Sequence, residues 1–583
     1  MPSSKISSAV TAPCARWGMP VLLGLALAAP GALLHAASTV AVVADAAKAD
    51  NLPTVRRLIK EHADVNIPAN DGSTALLWAS FHSNVDLVKD LLAAGALVDA
   101  ANHYGVTPLL QASRNGDVPV MQALLDAGAE STRWHAEGET PLMAAARTGR
   151  VDAIKLLIDH GSFVNAVDPF QEESALMWAS AEGHLDAVKT LLAAGADPNL
   201  KAHVSLITER KNADHPSGGF TALMFAVRNG HEDVARALAA GGADLKLTNA
   251  DGASATVIAI VNARFDLAKE LIDLGADPND GALFFAVDMH DATTDMRAQD
   301  ATRMQPSHPN KLTALTLVKS LLDVGADVNK TFTGSLHSTS MCCGPQINSS
   351  PFYRAATAAD VEVLKLLLAK GAQLEWTVPE KAKDPKKPGP AAGGGPGGNP
   401  NAGKTPIMAA MNGGKGAPLQ AGPGYARTGP PPFREPGSRE PVEALKVLLA
   451  AGANPNAKAG DGSTPLHQAV QLQQVAIIRA LAAGGADLMA VNKDNLIPLA
   501  AAEKLKSGPA EPVSVMGDPG AYRPHRDTRE EVVAALRELM HLGPNDPVPA
   551  PPPAPEKPVP EKKVTDDKDQ KKSPEVAATT SAQ

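Results

Sequence analysis

Aromatic residues are scarce in this chain of 583 residues, where Phe, Trp and Tyr together supply only 3% of the sequence. The hydrophobic fraction is nevertheless 44%, so Ala, Leu and Val must provide most of the packing. Small aliphatic side chains suit thin helices that approach one another closely. A chain of this length also exceeds one hydrophobic core, which predicts several domains or one extended repeat array.

Cysteine is nearly missing, because the chain has only Cys14 and the adjacent pair Cys342 and Cys343. Three cysteines placed in this way cannot form a disulfide framework, so packing must hold the fold. A basic excess is also missing, since the net charge is −9. A nucleic-acid surface needs a basic stripe, so we expect no nucleic-acid partner, and no motif indicates a cofactor.

The N-terminus has the pattern of a secretory signal peptide. Lys5 and Arg16 precede an apolar run over residues 19–34, and small residues follow at 36–38. This order of a basic, an apolar and a small-residue region predicts a signal peptide over 1–37, cleaved near Ala36 or Ala37. The expected location is periplasmic or secreted, with an uncleaved inner-membrane anchor as the alternative. No later segment is apolar enough to span a bilayer.

Three landmarks recur with a period of 33 residues, which is the main signal in the sequence. They are Gly72, Gly105 and Gly138; Thr74, Thr107 and Thr140; and Gly95, Gly128 and Gly161. Within one unit, Gly72 forms a tight turn and the Thr74 hydroxyl can cap a first helix. Gly95 then ends a second helix in the left-handed conformation. Helices this short are unstable alone, so each unit must bury its apolar face against its neighbours.

The units at 105–129, 138–165 and 461–488, with endings such as GADPN (195–199) and GADVN (325–329), resemble the ankyrin repeat family. The resemblance covers roughly residues 39–543, in about twelve units, with an atypical first and last unit as caps. It implies an all-α repeat solenoid of stacked helix-turn-helix ankyrin repeats with β-hairpin fingers. It also implies a protein partner lying across the finger tips and first helices, in the concave groove of the repeats.

The predicted domains follow from where the repeats are interrupted. Residues 38–374 form a block of about nine repeats, and 403–545 form a second block of about three. The Pro/Gly-rich segment 375–402 between them should be flexible and would either hinge the array or leave it as one arc. The tail 546–583 should be disordered, either as a passive tail or as a partner-reaching arm.

One departure from the family concerns the histidine of its Thr-Pro-Leu-His segment, which ties neighbouring repeats by hydrogen bonds. Only His467 keeps it, and apolar residues replace it in the earlier repeats, so those joints should rely on packing. The replacing residues are Leu77, Leu110, Met143, Met177 and Met224. His184 and His231 match another family position, at the turn between the two helices, and are expected to be structural.

Several motifs suggest chemistry but have a plainer explanation. Residues 398–405 (GNPNAGKT) fit the phosphate-loop pattern but lack the strand and long helix that the loop requires. Cys342 and Cys343 with His337 would bind a soft metal or form a vicinal disulfide, or would be an ordinary loop pair. An acidic and histidine cluster in the insertion 288–313 is predicted to be a solvated loop rather than a divalent-ion site. That cluster consists of Asp288, His290, Asp291 and Asp295.

The candidate partner-binding residues are aromatic or histidine side chains at predicted finger tips, where small polar residues are usual. They are His103, Tyr104, Trp134, His135, Phe170 and Phe220. Exposed aromatics are typical hot spots, although packing against a neighbouring finger is the competing interpretation. Trp78 and Trp178 lie in first helices and are predicted to be core or groove floor. We therefore expect a non-enzymatic protein-binding scaffold, with a metal- or redox-linked accessory protein and a host-directed effector as alternatives.

Overall fold

A computed structural model describes residues 42–134, 138–205, 217–291, 310–332, 349–375, 377, 403–411, 441–506 and 526–552. In these ranges the chain forms 24 short helices that follow one another as twelve pairs, as the repeat count predicts. The first helices are α1 (Val42–Lys48), α3 (Ala75–Phe81), α5 (Pro108–Asn115), α7 (Pro141–Thr148), α9 (Ala175–Glu182), α11 (Ala222–Asn229), α13 (Ala255–Val261), α15 (Ala282–Asp291), α17 (Pro351–Thr357), α19 (Pro406–Ala410), α21 (Pro465–Leu472) and α23 (Pro498–Glu503). The second helices are α2 (Leu52–Lys60), α4 (Val85–Ala93), α6 (Val118–Asp126), α8 (Val151–Asp159), α10 (Leu185–Ala193), α12 (Glu232–Ala240), α14 (Phe265–Asp273), α16 (Ala314–Asp323), α18 (Val361–Ala369), α20 (Pro441–Ala450), α22 (Val475–Ala483) and α24 (Arg529–Leu539).

The chain divides into two compact units, Met1–Glu130 and Ser131–Gln583. Within the first unit, α1, α3 and α5 pack one after another as a layer of first helices. Within the second, the first helices pack in the same way from α7 to α23, and the second helices form the other layer. These contacts continue from α17 to α19 on either side of residues 378–402, which lie outside the described ranges. Whether that segment acts as a hinge stays a prediction.

Most first helices begin directly after a threonine or serine whose hydroxyl can cap them. The Thr74 Oγ1 accepts a hydrogen bond from the Leu77 amide at 3.3 Å, which satisfies a backbone donor that the helix itself leaves free. The same cap recurs before other first helices at Thr107, Thr140, Ser174, Thr221, Ser254 and Ser350. A cap of this kind is worth about 1 kcal/mol, so the periodic Thr or Ser helps to fix the register of these repeats.

Small and apolar side chains fill the space between first helices, as the composition predicts. Ala79, Ala112 and Ala145 are fully buried. The residues that replace the family histidine are also buried, which confirms apolar joints at Leu77, Leu110, Met143, Met177 and Met224. His467 keeps the polar joint, since its Nε2 lies 2.8 Å from the Leu496 carbonyl oxygen of the next repeat. Burial lowers the pKa of His467, so the neutral ring is favoured.

The fingers between repeats are mostly tight turns in the described ranges, rather than the full β-hairpins that the resemblance implies. One antiparallel pairing joins β1 (Val204–Ser205) to β2 (Ser217–Gly218), and single bridges occur elsewhere. In a typical finger the Ala69 amide donates to the Ser73 carbonyl across five residues. Such a turn is too short to support a regular strand ladder.

An asparagine near the end of each regular repeat ties it to the next repeat, and sequence analysis did not predict this role. The Asn199 side-chain amide donates to the Gly242 carbonyl at 3.2 Å, and its oxygen accepts from the Asp244 amide at 2.7 Å. The same pair of bonds is made by Asn66, Asn165, Asn329 and Asn456. The final residue of the GADPN-type ending is therefore a connector between repeats.

The histidines at the turns between helices are structural, as predicted. The His184 Nε2 lies 2.9 Å from the Arg147 carbonyl of the preceding repeat, and the His231 Nε2 lies 3.0 Å from the Ala181 carbonyl. The His184 ring packs against Gly149, whose φ is +70°. A Cβ there would lie 2.5 Å from the ring, so this turn requires glycine both for its backbone conformation and for space.

Candidate functional site

In a first helix of seven or more residues, the fourth and seventh residues lie one turn apart on the same side of the helix. We call these positions the first-helix face. In α3 they are Trp78 and Phe81, and in α11 they are Phe225 and Arg228. In these two helices the side chains at both positions are half-buried or exposed, whereas the residues between them, such as Ala79 and Ala226, are buried. The helices α3 and α11 therefore present one side to their neighbours and these positions away from the core.

In the first unit the face carries an aromatic cluster. The Phe81 ring stands edge-on to Trp78 with ring centres 5.6 Å apart, and His82 stacks on Trp78 at 6.3 Å. The Lys48 ammonium lies 5.1 Å from the centre of the Trp78 ring. Trp78 is half-buried, whereas Phe81 is 50% exposed. Sequence analysis missed Phe81, although its spacing of three residues from Trp78 was the available signal.

In the second unit the face combines arginines with aromatic rings. The Arg147 guanidinium carbon lies 5.1 Å from the centre of the half-buried Trp178 ring. A guanidinium nitrogen of Arg147 also lies 3.2 Å from a carboxylate oxygen of the buried Glu139. An aromatic ring below and a carboxylate beside it together hold this arginine in one position.

A second arginine of this unit is held in a similar way. Phe220 and Phe225 pack with ring centres 5.4 Å apart, and the Arg228 guanidinium carbon lies 5.5 Å from the Phe220 ring. Phe220, a predicted partner-binding residue, is thus half-buried in its own repeat. Burial and the neighbouring Asp168 raise the pKa of the Glu173 carboxyl, and Arg228 opposes that rise.

The predicted finger-tip residues differ in exposure. Tyr104, Trp134 and Phe170 are 68%, 63% and 57% exposed. His103 is also exposed, but its ring lies against Gly72 and its amide donates to the Asp71 carbonyl of the preceding finger. His135 lies outside the described residues.

Two further exposed apolar side chains were not predicted. Leu97 and Phe163 are 62% and 70% exposed and occupy the position that is Asp in the GADPN-type endings. Comparing those endings along the chain would have identified both residues. They follow second helices rather than lying at finger tips, so they provide matched controls for the finger-tip residues.

The predicted ion cluster at Asp288 is corrected by the structure. Asp288 and His290 belong to α15 rather than to a solvated loop, because the helix continues to Asp291. The Asp288 side chain is 3% exposed and forms an ion pair with Arg354 of α17, while the His290 Nδ1 lies 2.5 Å from an Asp360 carboxylate oxygen. These ion pairs occupy both side chains between repeats. Only the backbone of Asp291 is described, as part of α15. The side chain of Asp291 and the whole of Asp295 lie outside the described residues.

The other predicted chemical motifs fall largely outside the described ranges. His337, Cys342 and Cys343 are not among them, and of residues 398–405 only Gly403, Lys404 and Thr405 are described. Those three lead into the five-residue helix α19, the first helix of a repeat. Over the described ranges, no group of three or more His, Cys, Asp and Glu side chains is arranged to hold a metal ion.

None of the helices in the described ranges combines the length and the apolar character needed to cross a membrane.

Comparison with protein-family models agrees with the repeat architecture. A family model of three ankyrin repeats matches residues 43–134, 126–202 and 204–282, and a single ankyrin repeat model matches 461–493. No curated protein matches the chain. The crystal structure of the human ASB11 ankyrin repeat domain is 25% identical over 40% of this chain and 98% of its own, with a TM-score of 0.35. The described residues of this chain form twelve helix pairs joined in one repeating pattern. Together with the matches to the family models, they make the chain a member of the ankyrin repeat family.

Proposed function

We propose that the chain is a non-enzymatic scaffold of the bacterial periplasm or exterior, which binds a partner protein through its finger tips and first-helix face. Ankyrin repeats are in general protein–protein interaction modules, which supports binding as the coarse function. The observation that carries the proposal for this chain is the exposure of Tyr104, Trp134 and Phe170 at finger tips.

These exposures matter because the rest of the chain uses so few aromatic residues. Only 3% of the sequence is aromatic, and the rings of Phe284, Phe285 and Phe352 are fully buried in first helices. A tyrosine, a tryptophan and a phenylalanine left more than half exposed make no use of their apolar surface within the fold. Large aromatics that become buried on binding dominate the affinity of most protein interfaces.

The repeat scaffold also lowers the cost of binding. The finger turns are closed by backbone hydrogen bonds and joined to their neighbours by the asparagine connectors. Side chains on such a framework lose little conformational freedom when a partner docks. A preformed surface of this kind fits a binding module better than a site that must carry out chemistry.

Location is the part of the proposal that rests on the N-terminal sequence. N-terminal sequencing of the protein isolated from its own cells tests it directly. We expect the chain to begin near Ala37 or Ser38 and to appear in the periplasmic or extracellular fraction. A protein that retains Met1 and stays in the cytoplasmic fraction would overturn the proposed export.

A crosslinked pull-down from the periplasmic fraction, read by mass spectrometry, tests the binding function. We expect Tyr104→Ala to weaken capture by the first unit, and Trp134→Ala with Phe170→Ala to weaken capture by the second. The matched controls are Leu97→Ala in the first unit and Phe163→Ala in the second, which remove equally exposed apolar side chains elsewhere. Equal loss of capture in the variants and in their controls would refute the assignment to the finger tips.

A further inference from the structure

Arg228 is held in place over an aromatic ring, and its guanidinium is not fully used within the fold. Its guanidinium lies over Phe220, and the Glu173 carboxyl interacts with it electrostatically, but its buried Nε has no hydrogen-bond acceptor. A guanidinium stacked on an aromatic ring keeps its N–H groups in a fixed plane. That geometry suits a carboxylate, which can accept two parallel hydrogen bonds.

Arg147 repeats this arrangement two repeats earlier in the same unit. It lies over Trp178, and its side chain is 44% exposed although one guanidinium nitrogen contacts Glu139. Because Glu139 is buried, it holds the guanidinium from the inner side. The remaining N–H groups of Arg147 stay available on the exposed part of the side chain.

The charges on α7, α9 and α11 favour an acidic ligand. The three helices contain two arginines, Arg147 and Arg228, and one carboxylate, Glu182. Glu173, beside Arg228, has a raised pKa and therefore holds its negative charge less firmly than an ordinary carboxylate. The tryptophan and phenylalanine rings of the same face add apolar surface beneath the arginines.

We infer that this part of the first-helix face, on α7, α9 and α11, binds an acidic segment of the partner protein, with one carboxylate on Arg147 and another on Arg228. The inference rests on the proposed binding function and names the chemistry of the partner.

The spacing of the two arginines sets the spacing of the two acidic residues. Successive first helices pack in contact from α7 through α9 to α11, and packed helix axes lie about 8–10 Å apart. The two arginines therefore stand roughly 16–20 Å apart, and an extended chain covers about 3.3 Å per residue. Acidic residues about five or six positions apart match this distance.

The test is selection from a display library of random unmodified twelve-residue peptides on the chain expressed with its own N-terminus. We expect enrichment of Asp or Glu at two positions about five or six residues apart. The same selection on an Arg147→Gln, Arg228→Gln double variant should lose that enrichment. Arg236→Gln is the matched control, because Arg236 lies in the same repeat as Arg228 but on the second helix α12.

A selected peptide then gives the quantitative readout. Arg228→Gln should weaken its dissociation constant about tenfold, and Arg236→Gln should leave it unchanged. Unchanged circular dichroism and thermal midpoints would show that the variants are folded. Selection without acidic enrichment, or enrichment that survives the double variant, would overturn the inference. A pull-down partner that depends on Trp134 and Phe170 but ignores both arginines would leave the proposed function standing and remove only this inference.

Discussion

Two regions of the second unit use the same positions of the first helix for opposite purposes. Arg228, the seventh residue of α11, is half-buried over Phe220. Asp288, the seventh residue of α15, is almost completely buried against Arg354, the fourth residue of α17. The backbone pattern is the same in both repeats, so the side chain that meets the seventh residue decides the outcome. Asp288 becomes core because the next repeat offers the complementary charge of Arg354, whereas Arg228 stacks on Phe220 of its own repeat and stays partly accessible.

This comparison predicts that the same class of substitution has very different effects on stability in the two regions. Buried charges that lose their partner keep their desolvation cost, whereas exposed charges are hydrated by water. The four predictions below run from the largest expected change in the free energy of unfolding to the smallest.

Asp288→Ala should lower the free energy of unfolding by about 3–5 kcal/mol, because the buried Arg354 guanidinium loses the carboxylate that faces it. Urea denaturation measures the change. The double variant Asp288→Leu, Arg354→Met should recover much of the loss, since it removes both charges and keeps the volume. A loss below about 1 kcal/mol in Asp288→Ala would show that this pair is not part of the core.

Asp280 should make stability depend on pH. Burial raises its pKa to about 6. A raised carboxyl pKa means that the folded state holds the proton more tightly than the unfolded state. The resulting stabilisation is complete below pH about 4 and is lost as the pH rises through 6, by at most about 3 kcal/mol. Urea denaturation of the protein between pH 4 and 7 should show this fall.

Asp280→Asn should flatten that pH profile, because its side chain no longer titrates and its oxygen can still accept from the Ala282 amide. Asp327→Asn is the control, since Asp327 is exposed. Asp280 would be rejected as the cause if the free energies of unfolding of the unsubstituted protein and of Asp280→Asn differed by a constant amount over this pH range.

His467→Ala should destabilise the protein by about 2 kcal/mol, because the Leu496 carbonyl and the Thr464 hydroxyl lose the ring that joins them. His467→Met should cost less, since Met143, Met177 and Met224 fill the same position elsewhere. Thermal and urea denaturation compare the two. A larger loss of stability with methionine than with alanine would show that an apolar side chain cannot replace the histidine at this joint.

Tyr104→Ala, Trp134→Ala and Phe170→Ala should each change the free energy of unfolding by less than about 0.5 kcal/mol, because these side chains are more than half exposed. The same urea denaturation serves for all three. A loss above about 1 kcal/mol at Trp134 would mean that it packs against a neighbouring finger. That result would assign Trp134 to the fold rather than to the binding face.

The sequence alone was sufficient for the repeat architecture because its signals are local. Gly72 and Thr74 sit in turns and caps whose geometry depends on a few neighbouring residues, and the period of 33 repeats them. The apolar joints at Met143 and Met177 followed from the same alignment of repeats.

The sequence was a poorer guide where a side chain meets another repeat. Asp288 was predicted to be solvated, since its partner Arg354 is 66 residues away and nothing local marks the pair. Phe220 and Phe170 were both predicted to lie at finger tips, yet Phe220 packs on Phe225 and Arg228 of its own repeat. The two positions differ, because Phe220 directly precedes the helix cap Thr221 and Phe170 lies four residues before the cap Ser174.

The most direct test of the binding face uses a photoreactive phenylalanine analogue in place of Phe170 or of Phe163, which are 57% and 70% exposed in the same unit. Because both side chains are more than half exposed, we expect both substitutions to leave the fold intact, so the two variants differ in where they report. Irradiation of cells followed by mass spectrometry should give a crosslinked partner protein from position 170 at the finger tip and little or none from position 163. Crosslinking from 163 with none from 170 would contradict the account, because the partner would then lie away from the finger tips.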